Sequence, residues 1–160
     1  MDTQINNTQI NNTLTKNLLA KDMMWSAPPI ISPNTTLQQA AQVMMDTNAG
    51  VLPVGTDGKV QGIITDRDIV IRAISLGKDP ANEKIVDFMT TEIYSCKEED
   101  SICDAAALMK KKKITRIAVM DDDDKFAGIL SFGHIFRTDA NAEESAEAIT
   151  RAAVHHQKNH

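Results

Sequence analysis

Gly62-Ile63-Ile64-Thr65-Asp66-Arg67-Asp68 is an apolar run that ends in a small hydroxyl residue, with an acid three positions further on. Ile69-Val70-Ile71-Arg72-Ala73-Ile74 follows, with Ile, Val and Ala recurring on one helical face. The stretch predicts a strand over Val60–Ile64, a tight turn at Thr65 and a helix starting near Asp66. Thr65 suits the helix cap, because its hydroxyl can accept from the unpaired amides of the first turn. Asp68 falls in that turn, where the helix dipole favours a negative charge. Alone, the pattern reads as a capping box, which requires no ligand.

It does not stand alone. Asp22-Met23-Met24 returns as Asp87-Phe88-Met89, an offset of 65 residues. At the same offset Thr36-Leu37 matches Ser101-Ile102, Ala40-Ala41 matches Ala105-Ala106, Met44 matches Met109, and Leu52-Pro53-Val54 matches Ile117-Ala118-Val119. One extra Asp in the 121–124 run moves the offset to 66, so that Gly62-Ile63-Ile64-Thr65 matches Gly128-Ile129-Leu130-Ser131 and Ile69 matches Ile135. The chain is two copies of one unit, and a period of that length is an architectural statement.

Each copy reads in one order. A short amphipathic turn and an extended piece (Pro29–Ser32; Ile93–Cys96) precede a hydroxyl-capped helix (Thr35/Thr36 to about Asn48; Asp100/Ser101 to about Lys112). Two strands follow (Val51–Val54 and Val60–Ile64; Arg116–Met120 and Phe126–Leu130), then a closing helix (Asp66 to about Leu76; about Gly133 to Arg137). Thr56-Asp57-Gly58-Lys59 and Asp121–Lys125 have hairpin chemistry. The expected fold is α+β: β-α-β-β-α repeats, each with a three-stranded sheet, covering one another's apolar faces about a pseudo-two-fold axis. The expected divisions are a disordered polar leader over 1–17 with TQINN twice, repeat 1 over 18–80, repeat 2 over 81–138, and a helical, His-bearing tail over 139–160.

Composition excludes several classes. The chain has 160 residues, a net charge of −5 and no broad basic face, which argues against nucleic acid. No apolar run approaches a membrane span and no signal peptide is visible. Cys96 and Cys103 lack metal-ligand spacing, so a cytoplasmic protein with reduced thiols is expected. The Asp121–Asp124 run lacks the alternating ligands and Gly of a calcium loop and reads as a solvated turn. Lys110–Lys113 suits a helix end, and Met44, Met45 and Met109 are core filler. No metal site is expected, and His155, His156 and His160 read as a solvated tail.

Over residues 18 to about 138 the chain resembles the CBS-domain pair, or Bateman module, in its small stand-alone bacterial form. The resemblance rests on the tandem unit, the Gly62–Asp68 motif, the helix start Pro33-Asn34-Thr35-Thr36 and the strand Leu52-Pro53-Val54. It implies an adenosine-containing ligand (AMP, ADP, ATP, S-adenosylmethionine or NAD) held between the copies, with no obligatory cofactor. Thr65 and Asp68 would serve phosphate and ribose, Arg116 the phosphate, and Ile64, Ile93 and Tyr94 the adenine. A carboxylate can accept from both ribose hydroxyls, and a guanidinium fork matches a phosphate. The second motif departs from the pattern. Ser131 keeps the hydroxyl, but His134 replaces the acid, Val51 stands where Arg116 would, and Pro28-Pro29 replaces Ile93-Tyr94. A degenerate second site, empty or binding something else, is expected.

No nucleophile–base pair or phosphate-cleaving loop is visible, so an enzyme is not expected. Two functions remain: a nucleotide sensor signalling to an unknown protein target or through its own homodimer, and a ligand-free dimerisation scaffold in which Thr65 and Asp68 only cap a helix.

Overall fold

The computed structural model describes residues 18–138. The leader over 1–17 and the expected helical, His-bearing tail over 139–160 lie outside them.

The first copy follows its local chemistry. In α2 (Leu37–Thr47) the Thr36 hydroxyl accepts from Gln39 N–H at 3.1 Å, and Gln39 Oε1 accepts from Thr36 N–H at 3.0 Å. Leu37, Ala40 and Met44 fall on its buried face, and Asn48 ends it in the left-handed region. β2 (Val51–Thr56) and β3 (Lys59–Thr65) form an antiparallel hairpin, with Val51 opposite Thr65 and Leu52 opposite Ile64. Asp57 (φ 51°) and Gly58 (φ 74°) supply the two positive-φ positions of a type I′ turn. α3 runs from Asp66 to Leu76 as a single α turn, a π segment over Ile69–Ala73 and a 3-10 turn over Ile74–Leu76. Gly77 stops it at φ 70°.

The second copy repeats this with β4 (Ser95–Lys97), α4 (Ile102–Lys112, capped by the Ser101 hydroxyl), β5 (Arg116–Met120), β6 (Phe126–Ser131) and α5 (Phe132–Thr138). Arg116 pairs with Ser131 as Val51 pairs with Thr65, which places the two motifs in equivalent registers.

The opening segments depart from the three-stranded units expected. α1 (Ala20–Met23) belongs to the first copy in sequence, yet Ala20 and Met23 are buried in the second core with Ile102, Ala105, Met109 and Leu130. Reciprocally, the 3-10 turn Ile85–Asp87 and Phe88 lead Ile85 and Phe88 into the first core, with Leu37, Leu52, Ile64 and Ile69. β1 (Trp25–Ser26) then pairs antiparallel with β6 and makes a four-stranded sheet of order β1-β6-β5-β4. Its counterpart is a single antiparallel bridge between Thr90 and Ile63 of β3, while Ile31 bridges β2 in parallel. In the first copy the extended piece thus shrinks to Ile31, consistent with the missing N–H groups of Pro28 and Pro29 before it.

This exchange explains the motif glycines. A Cβ on Gly62 would lie 2.8 Å from the Thr90 carbonyl oxygen and 3.0 Å from Met89 Sδ. A Cβ on Gly128 would lie 2.6 Å from the Trp25 carbonyl oxygen and 2.8 Å from Met24 Sδ. Each glycine is the seat of the other copy's opening segment.

Candidate functional site

The Thr65 turn lies at the end of β3, against the second copy. Thr65 is 8 % exposed, the one buried polar side chain among the described residues. Its Oγ1 accepts from Asp68 N–H at 3.0 Å. Asp68 Oδ2 accepts in return from Thr65 N–H at 3.0 Å and from the Thr65 hydroxyl at 2.7 Å. The capping box is therefore real, and it occupies one carboxylate oxygen.

The other oxygen, Oδ1, lies 3.3 Å from Arg72 Nε. Arg72 stands one helical turn on, and its Nη1 donates to the Phe88 carbonyl at 2.9 Å. The site acid is thereby tied to the segment that the second copy lends to the first. A carboxylate offers about four lone-pair positions, so a hydroxyl can still approach Asp68.

Arg116 comes from the second copy and reaches the first. A Cβ placed on Gly50 would lie 3.4 Å from Arg116 Nη2 and 2.8 Å from Asp66 Oδ2, so both charged groups converge on one point. Asp66 N–H donates to the Gly50 carbonyl at 3.2 Å, which fixes the helix start there. Arg116 is half-buried, and its one hydrogen bond among the described residues is a long one, from Nη1 to Thr115 Oγ1 at 3.5 Å. Most of the donor fork is uncommitted.

The expected adenine-side residues are differently engaged. Ile64 is fully buried in the first core. Ile93 and Tyr94 are half-buried, and Tyr94 packs against the second core. Its hydroxyl donates to Glu92, which raises the phenol pKa above its ordinary value. Lys112 Nζ lies 4.6 Å from its ring centroid, a cation–π contact. Thr65 and Asp68 are brought together, and Arg116 joins them through Asp66 and Gly50; Tyr94 bonds within its own copy.

Sequence does not single out Gly50, Arg72 or the carboxylate of Asp66. The i, i+4 spacing of Asp68 and Arg72 was a readable signal for one contact. Nothing in a single copy points Arg116 at Gly50. In the second motif Ser131 Oγ accepts from His134 N–H at 3.1 Å, and Val51 is buried at the position equivalent to Arg116.

A family model for the CBS domain matches residues 20–74 and again residues 85–141. The chain belongs to the CBS-domain family. Among CBS proteins, the chain is 33 % identical over 139 residues to the CBS domain-containing protein YhcV of Bacillus subtilis, covering 87 % of this chain and 96 % of that one. It is 30 % identical over 117 residues to hypoxic response protein 1 of Mycobacterium tuberculosis, covering 72 % and 81 %. Among solved CBS structures it is similar to the CBS domain pair of MJ0100 in complex with 5′-methylthioadenosine and S-adenosyl-L-methionine. That match has a TM-score of 0.65 at 31 % identity, over 75 % of this chain and 94 % of that one. The two CBS copies and their β-α-β-β-α order agree with the fold expected from sequence. No helix among the described residues is long and apolar enough to cross a membrane.

Proposed function

We propose that this CBS pair is a regulatory module, not an enzyme, that binds an adenosine-containing ligand (AMP, ADP, ATP, S-adenosylmethionine or NAD) where Arg116 meets the Thr65 turn. Thr65, Asp68 and Arg116 take the ribose and phosphate; Ile93 and Tyr94 flank the adenine, with Ile64 behind them. The Ser131/His134 side is left empty. The occupied site signals to a protein target or through a homodimer in the cytoplasm.

What supports this reading above all is Arg116. A half-buried guanidinium, with one long hydrogen bond among the described residues, stands against Gly50 and Asp66 of the other copy. Such a group is satisfied by an anion. The MJ0100 pair, which holds adenosyl ligands, adds weight.

The scaffold reading has its own support in the capping box and in Val70, Ile71, Ile74 and Leu76, which α3 leaves exposed for a second copy. Thermal shifts with AMP, ADP, ATP, NAD and S-adenosylmethionine separate the two. A ligand at a hundredfold its dissociation constant adds about 2.7 kcal/mol. Arg116→Ala should abolish that shift without lowering the unliganded melting temperature, whereas Asp68→Ala should lower both. No shift with any ligand leaves the scaffold. Sedimentation of the same samples as monomers at every concentration would remove the homodimer from either reading.

A further inference from the structure

The neighbourhood of Arg116 holds a group that a phosphate site does not need. Asp66 is exposed, and its Oδ1 accepts from Arg67 N–H at 2.7 Å. Its Oδ2 is thereby turned towards Gly50, where it and Arg116 Nη2 lie 2.8 and 3.4 Å from the same point. The two opposite charges nonetheless form no ion pair, unlike the five pairs found among the described residues. Arg72 is already committed to Asp68 and the Phe88 carbonyl.

We propose that Asp66 sets the charge this site accepts, admitting an adenosyl ligand with one anionic group and penalising a di- or triphosphate. The proposal rests on the adenosine-site reading above. An anion that takes the free donors of Arg116 comes within reach of the Asp66 carboxylate. The guanidinium offsets about half or more of the charge of one phosphate monoester, which is roughly −1.5 to −2 at pH 7. Each further phosphate adds negative charge beside Asp66, and like charges a few ångströms apart near a protein surface repel strongly. Gly50 contributes by its missing side chain, because a Cβ there would fill the space between the two groups.

The test is isothermal titration of AMP, ADP and ATP, in EDTA, into the wild-type chain and Asp66→Asn. Asparagine keeps the size and the acceptor for Arg67 N–H and loses only an exposed charge at the helix start, so the melting temperature should change little. The wild type should bind AMP more tightly than ATP, and Asp66→Asn should shrink that preference about tenfold or more, chiefly by tightening ATP. AMP binding with an unchanged ratio in the variant overturns the role of Asp66 and leaves the adenosine site standing. A wild type that prefers ATP does the same. Binding of none of the three nucleotides overturns this proposal, and if S-adenosylmethionine and NAD titrated alongside them also fail to bind, the site reading falls with it.

Discussion

Asp68 serves two masters at the residue scale. Its Oδ2 holds the Thr65 cap while Oδ1 faces Arg72, so its removal disturbs helix, junction and ligand together. Arg116 has no comparable structural duty, which makes it the cleaner probe. Cys96 shows how placement changes a side chain that sequence treats as ordinary. Burial in the second core, helped by the charge of Asp100, pushes its thiol pKa up to about 11. A thiol whose pKa is higher folded than unfolded stabilises the fold fully below the unfolded value. That contribution is lost as pH rises towards the folded one. Denaturant melts should therefore show stability falling between about pH 9 and 11, with on the order of 2 kcal/mol of the fall absent in Cys96→Ala. At pH 8, Ellman's reagent should modify the exposed Cys103 in the native protein and reach Cys96 only on unfolding.

At the scale of elements, most of the regular structure was legible because the local signals agree. Thr36 and Ser101 cap the helices that were expected, and Arg116–Met120 is the strand expected over the same residues. The π segment over Ile69–Ala73 was not legible, since an apolar face at helical spacing suits an α turn and a π turn alike. The motif glycines were legible as a pattern but not as a cause. Gly62 and Gly128 are there because a backbone carbonyl from the other copy lies where a Cβ would be. Gly62→Ala should thus cost about 1–3 kcal/mol of stability, as overpacking against an element that cannot move far usually does. Gly58→Ala is the contrasting control, since nothing lies within 4 Å of its Cβ position and only its positive φ opposes the change. An equal loss at both positions, measured by chemical denaturation, would mean that the exchanged segment yields freely.

At the scale of the whole molecule, the exchange of opening segments makes the copies interdependent. The first core lacks Ile85 and Phe88 without the second copy, and the second lacks Ala20 and Met23 without the first. Residues 18–80 expressed alone should show little cooperative melting by circular dichroism, and mixing them with 81–138 should restore it. A sharp, independent transition in either half would show that the exchange adds little.

The sequence by itself determined the duplication, the register between the copies, the capped helices and hairpins, and the asymmetry between Asp68 and His134. Each follows from contacts made within a few residues, or from one copy laid on the other. The tertiary structure alone decided which core each opening segment fills, and that Arg116 meets Asp66 over Gly50. The reason is symmetry. An opening segment that suits its own copy suits the other almost as well, so local patterning cannot choose between them. The choice, and with it the meeting of charges at the site, is made when the two apolar faces dock.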